Sequence, residues 1–422
     1  MPNKKYLFLQ EVTEQIKSKE AKKYVADELG YHLQEAKKLW LEKGLPEAEA
    51  EEKAIEQMGS PIKLGKQMNR LHKPKVDWFM MILLVTTLGL GFLPIISLGY
   101  IDDRYFSVSK TIMVVLGGAA AIGLMLIDYR KWKTRGWLFY LLGILLLVLI
   151  RTFSNTTING VPRLRIPGII TIESSMALPF FFLAWASFLN NEKLKVWNFS
   201  ILFMIPILLF LIVPSIPIIF MYTVTVFVML WWSKFSRKMI LSITGVTIGL
   251  FITIGFTSWQ FLQTYQKVRL LAFFNPEKYS NGAGYLALRL KGLMSKAGWF
   301  GHPGQKEFIP EAHTDFVFVS LSYIYGWLFA IALVIILSLI IVRFIVISNR
   351  IHDPFAKLLL IGAVVLYGVQ LASHLGMALG VFPLTSISLP FISYGLMPVL
   401  LNSFLIGIVL SVYRRKDLLS YR

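Results

Sequence analysis

From Trp78 onward the chain is a succession of long, uninterrupted apolar runs, and this pattern leaves few folds open to it. Runs occupy 78–98, 109–128, 136–151, 168–188, 197–213, 216–232, 239–258, 315–342, 357–380 and 389–412. About 20 residues of helix cross roughly 30 Å of hydrocarbon at 1.5 Å per residue. In lipid the backbone must satisfy its own hydrogen bonds, so such runs fold as helices. The expected class is therefore all-α: a polytopic membrane protein with about ten transmembrane helices. Composition agrees, with 55% hydrophobic and 16% charged residues.

The formal net charge of +19 would suit nucleic-acid binding if it lay on one face. Beyond the N-terminal segment it lies instead largely in short loops between apolar runs, as membrane topogenesis requires. Arg130, Lys131, Lys133 and Arg135 share one loop, and Lys234, Arg237 and Lys238 another. Arg343 and Arg350 occupy a third, and Arg414, Arg415 and Lys416 lie near the C-terminus. With ten alternating helices these fall on the side of the Lys-rich N-terminus. Both termini are expected in the cytosol, no nucleic-acid partner is expected, and no signal peptide is visible. Cysteine is absent, which excludes disulfide and thiolate chemistry.

Residues 1–74 read as a small cytosolic helical domain, separate from the membrane domain at 75–422. Ala21 to Lys43 sets Tyr24, Leu29, Leu33, Leu39 and Leu41 among charged residues, with Gly44 as a stop. A second helix runs from Pro46 to Met58 and ends at Gly59. Ser60-Pro61 opens a third, with serine expected to cap it. The segment resembles the permease-prefix type of domain that precedes some Gram-positive membrane proteins, which implies a docking role toward a cytosolic partner.

One extracytoplasmic loop is long, 258–314, and its aromatics, glycines and prolines argue for order. It closes on Ile309-Pro310-Glu311-Ala312-His313-Thr314-Asp315-Phe316. Two readings fit this ending. Thr314 or Asp315 could be the N-cap of the next helix. Alternatively, Asp315 is an interfacial general base assisted by a neighbouring histidine. Arg269, Arg289, Lys291, Lys296 and Lys306 in the loop, with Arg163 and Arg165 before the fourth run, form a cationic mouth suited to an anionic lipid headgroup. Glu173 and His374 fall inside apolar runs, as functional groups or as interhelical hydrogen-bonding groups, and could pair.

The segment Pro310-Glu311-Ala312-His313-Thr314-Asp315-Phe316 is similar to a signature of the SEDS family (the RodA, FtsW and SpoVE type). So is Ser388-Leu389-Pro390-Phe391-Ile392-Ser393-Tyr394-Gly395. Arg269 with Phe273-Phe274-Asn275-Pro276, then Gly284-Tyr285, Gly298, Gly301 and Gln305-Lys306, keeps the family order, as do Gly376-Met377, Gly380, Pro383 and Thr385. The resemblance implies a peptidoglycan glycosyltransferase that polymerises lipid II beside a class B penicillin-binding protein, in elongation, division or sporulation. It places the catalytic carboxylate on Asp315 and substrate contacts on Arg269, Lys306, His313, Thr314, Arg163, Ser393 and Tyr394. It leaves a divalent cation (Mg or Mn) open as cofactor. A flippase for the same lipid, or a noncatalytic scaffold, are the alternatives.

Departures from the family pattern are local. Glu173-Ser174-Ser175-Met176 stands where Gln-Pro-Ser-Glu is usual, and the lysine that follows is Pro179. Arg163-Leu164 replaces an Arg-Trp pair, and His302-Pro303 interrupts a glycine-rich stretch. Tyr323-Ile324-Tyr325 replaces a Glu-Glu, and Leu396-Met397 a Gly-Ser.

Overall fold

The computed structural model describes residues 4–98, 103–158, 160–166, 170–191, 194–261, 264–302 and 307–418. It divides into two units, Met1–Asp77 with Val412–Arg422, and Trp78–Ser411.

The first unit has four helices: α1 (Lys4–Glu14), α2 (Lys19–Glu42), α3 (Glu47–Met58) and α4 (Pro61–Leu71). The sequence reading had no separate α1. In α2, Ala21, Val25, Leu29 and Leu33 recur every four residues and form one buried stripe. It packs against Phe8, Val12, Ile16 and Ala54, while Leu39 and Leu41 stay exposed. Ser18 caps α2 by accepting from Ala21 N. Ser60 does not fill the capping role expected of it, because its side chain makes no cap bond and Pro61 itself starts α4. Gly65 of α4 lies so close to the Val12 carbonyl that a Cβ would collide with it.

The C-terminal residues belong to this unit. Arg415 is fully buried and donates to both carboxylate oxygens of Glu20, at 2.9 and 2.8 Å. Lys75 pairs with Asp417 at 2.8 Å, and the His72 ring lies 3.0 Å from the Asp417 carbonyl oxygen.

The second unit contains α5 (Trp78–Leu90), α6 (Leu93–Leu98), α7 (Asp103–Leu126), α8 (Gly136–Phe153) and α9 (Leu178–Leu189). There follow α10 (Val196–Ile212), α11 (Ile216–Trp231), α12 (Arg237–Phe261), α13 (Thr264–Phe274) and α14 (Tyr285–Lys296). The last three are α15 (Val317–Ser348), α16 (Pro354–Ala378) and α17 (Leu396–Arg414). Among the described residues six spans are long and apolar enough to cross a membrane, and three shorter apolar helices accompany them. With α12, these correspond one for one to the apolar runs, and the chain is a multi-pass, essentially all-α membrane protein. The exception is an antiparallel sheet of β1 (Thr156–Ile158), β2 (Val161–Ile166) and β3 (Ile170–Ile172) before α9.

The stretch 258–314, expected to be ordered, carries α13 and α14. One expectation needs correction here. The eighth span is broken, since Gly326 within α15 has φ 84° and ψ 175°. The chain at 298–302 fills the break: Gly298 and Trp299 carbonyls accept from Trp327 N and Leu328 N at 2.9 and 3.2 Å, and His302 N donates to Tyr323 O at 3.0 Å. Backbone groups freed at a helix break must find such partners. The approach is possible only because both sides are glycine, since a Cβ on Gly301 or Gly326 would run into the opposing backbone.

Gly326→Ala is expected to lose about 2–5 kcal/mol, from left-handed strain plus the backbone collision. Gly89→Ala, where a methyl would meet nothing within 4 Å, should melt like wild type in detergent. A wild-type melting temperature for Gly326→Ala would show that this contact does not hold the break. Glu20→Ala should loosen the C-terminal residues, costing about 1 kcal/mol for a part-buried charged hydrogen bond, and limited proteolysis after residue 411 would report it.

Candidate functional site

The apolar run that becomes α15 is preceded by a tight turn. Glu311 is left-handed, with φ 48°, and its carbonyl accepts from Thr314 N and Phe316 N at 3.1 Å each. The Thr314 hydroxyl donates to the Glu311 carboxylate at 2.6 Å, and Ser320 donates to the Ala312 carbonyl at 2.7 Å. The helix then begins at Val317 with Phe316 as N-cap and no side-chain cap. Neither Thr314 nor Asp315 therefore caps it, and the capping alternative is not realised. Asp315 is half-buried. Burial pushes its carboxyl up to about 6; Glu311 and Glu173 push the same way, and Arg163 opposes them. Burial lowers His313, against the pull of Glu311. Both shifts favour the uncharged form of the group.

A second turn clamps the first. Residues 388–395, expected to open the tenth helix, are instead irregular, because α17 starts at Leu396. The Ser393 hydroxyl accepts from Leu389 N and donates to the Thr314 carbonyl, both at 2.8 Å. Tyr394 N donates to the His313 carbonyl at 2.7 Å. The Tyr394 ring packs against Phe106 and His313, at centroid distances of 4.9 and 5.6 Å. Thus His313, Thr314, Asp315, Ser393 and Tyr394 are brought together.

The sheet supplies the cation. Arg163 on β2 lies 3.2 Å from the carboxylate of Glu173, just after β3, and Ser175 donates to the same carboxylate at 2.6 Å. Arg163 and Glu173 line a cavity of about 90 Å³ with the hydroxyls of Ser174, Ser215 and Ser388 and the side chain of Gln370. The Gln370 carbonyl oxygen is buried with no hydrogen-bond partner among the described residues. His374 does not meet Glu173: it is fully buried, 2.8 Å from the Ile387 carbonyl, and its Nε2 has no partner among the described residues.

Lys306 lies outside the described residues, and Arg269 sits on α13 with its side chain outside them. Of the other loop cations, Arg289 donates to the Phe308 carbonyl at 2.7 Å and Lys296 lies 3.4 Å from Glu307. No three His, Asp or Glu side chains among the described residues converge as metal ligands.

One residue was missed in the sequence. Lys110 of α7 is fully buried, and its Nζ donates to the carbonyls of Phe391 and Ser393 at 2.9 and 3.1 Å. A lysine inside an apolar run was the available signal.

A family model for the cell cycle proteins FtsW, RodA and SpoVE matches residues 77–418. A probable peptidoglycan glycosyltransferase FtsW of Coxiella burnetii is 28% identical over 80% of this chain and 95% of its own length. The peptidoglycan glycosyltransferase MrdB of Escherichia coli is 30% identical over 68% of this chain and 80% of its own. Among solved structures, a chain of a peptidoglycan synthase complex superposes with a TM-score of 0.70 at 24% identity, covering 81% of this chain and 98% of that one. The rod shape determining protein RodA of Thermus thermophilus gives 0.59 at 20% identity, over 82% and 98%. With a family model spanning both clamped turns, the sheet and every apolar helix, this chain belongs to the FtsW/RodA/SpoVE family of membrane proteins.

Proposed function

We propose that this chain is a peptidoglycan glycosyltransferase that polymerises lipid II into glycan strands, with Asp315 as its general base. The observation that carries this reading is the Asp315 carboxylate. It is half-buried, raised to about 6, held on a turn fixed at both flanks, and electrostatically coupled to the Arg163 and Glu173 that line a hydroxyl-rich cavity. A base poised just below working pH is ionised yet still basic enough to take a proton.

In the proposed reaction Asp315 takes the proton of the acceptor sugar's 4-hydroxyl as that oxygen attacks the donor's anomeric carbon. The bond from that carbon to the pyrophosphate oxygen breaks with inversion, and its electrons leave with polyprenyl pyrophosphate. The leaving group needs charge stabilisation more than protonation, which we assign to the loop cations Arg269 and Lys306. Arg163, His313, Thr314, Ser393 and Tyr394 shape the surroundings of the base. A class B penicillin-binding protein is the proposed partner, and the N-terminal unit is proposed to face the cytosol with the C-terminus and to meet a partner there.

The test is polymerisation of lipid II by purified protein, alone and with a class B penicillin-binding protein. Asp315→Asn should abolish glycan product. If wild type makes none in either condition while remaining folded, the flippase or scaffold takes its place. In wild type, kcat/KM should fall about tenfold per pH unit below about 6, as Asp315 protonates. The same raised carboxyl destabilises the folded state: the stability available below the unfolded value is lost as pH rises through about 6. Asp315→Asn should therefore be inactive yet more heat-stable at pH 7.5, by about 2 kcal/mol. A less stable Asp315→Asn would contradict the burial of the charge.

A further inference from the structure

Lys110 has no part in the chemistry above, yet its placement is specific. It sits in an apolar helix where methionine would pack as well, and a lysine head buried there is costly unless its donors are met. They are met by two carbonyls two residues apart, those of Phe391 and Ser393. Phe391 is one of two non-glycine residues with positive φ among the described residues, at 62°. The other is Glu311, at 48°, at the start of the Asp315 turn. Gly91 opens the path, since a Cβ there would lie 2.7 Å from the Phe391 carbonyl oxygen and 3.1 Å from Lys110 Nζ. A glycine gap, a lysine head and a left-handed residue thus converge on one point.

From that point two contacts lead to the candidate base. The Ser393 hydroxyl donates to the Thr314 carbonyl, and Tyr394 N donates to the His313 carbonyl. These are the two peptide units immediately before Asp315. Anything that changes the path of 391–394 moves the backbone that aims the carboxylate, and a misplacement near 1 Å can cost about 100-fold in rate.

We propose that Lys110 is a positioning residue for glycan polymerisation: by holding the Phe391 and Ser393 carbonyls it fixes the turn that aims Asp315. The proposal rests on the polymerase reading, and its test carries a readout that does not need activity. Lys110→Met keeps the length and loses the donors, Lys110→Arg keeps donors, and Ser393→Ala cuts the link to Thr314. Lys110→Met and Ser393→Ala should each lower kcat roughly 10- to 100-fold, with KM for lipid II within about threefold. Lys110→Arg should recover most of the loss. The Lys110→Met/Ser393→Ala double variant should be within about twofold of the slower single, because both act on one segment.

Hydrogen exchange read by mass spectrometry should quicken at 311–316 and 389–395 in Lys110→Met, while residues 4–71 exchange as in wild type. Unchanged kcat in Lys110→Met, a loss confined to KM, or unchanged exchange at 311–316 would each overturn the proposal. If Lys110→Met does not fold, Ser393→Ala decides alone, and its wild-type rate and exchange would overturn the proposal. If wild type makes no glycan, the polymerase reading fails and the exchange data still decide whether Lys110 holds the turn.

Discussion

A chain that spans a bilayer can leave helical geometry only where protein groups satisfy the exposed backbone, and the candidate site is built where that happens. Two irregular turns, at 311–316 and 388–395, lie against each other and exchange hydrogen bonds through Ser393 and Tyr394. Lys110 ties off one turn from behind. A third irregular piece, at 298–302, fills the break in α15. Breaking the contact between the two turns would leave polar groups of both unpaired.

The departures from the family pattern read differently once their neighbours are known. His302 and Tyr323, each unusual for the family, stack on one another at 5.5 Å with an interplanar angle of 8°. The Tyr325 hydroxyl lies 2.7 Å from the Ser97 hydroxyl on α6. Pro179, standing where a lysine is usual, occupies the start of α9, where proline is well tolerated. The cation coupled to Asp315 comes from Arg163 on the sheet. The changed residues are thus accommodated by packing and hydrogen bonds within the unit.

Much of the architecture was legible in the sequence. The apolar runs marked every span, because burial of backbone in lipid demands length and apolarity together. The ordered motifs marked the two segments that meet at the site, though not that 388–395 is a turn, and a carboxylate at the mouth of a cationic loop marked Asp315. Less legible were the elements that depend on distant contacts. The first helix of the N-terminal unit has a short amphipathic pattern, and Ser60 looks like a cap although its side chain makes no such bond. The start of α17 was misplaced because Leu389, Phe391 and Ile392 are as apolar as the helix that follows, yet their backbone turns to meet Lys110 and the 311–316 segment.

Sequence alone determined the class of the protein and the order of its helices, since these follow from apolar length and charge distribution, and its family motif pointed to the candidate base. Only tertiary structure decided that Asp315 is not a helix cap, that Glu173 pairs with Arg163 and not with His374, and that Lys110 holds the turn behind the base. The reason is physical. Such partners lie from a few residues to nearly three hundred away along the chain, and which hydrogen bonds a buried polar group makes is settled by what packing brings within about 3 Å.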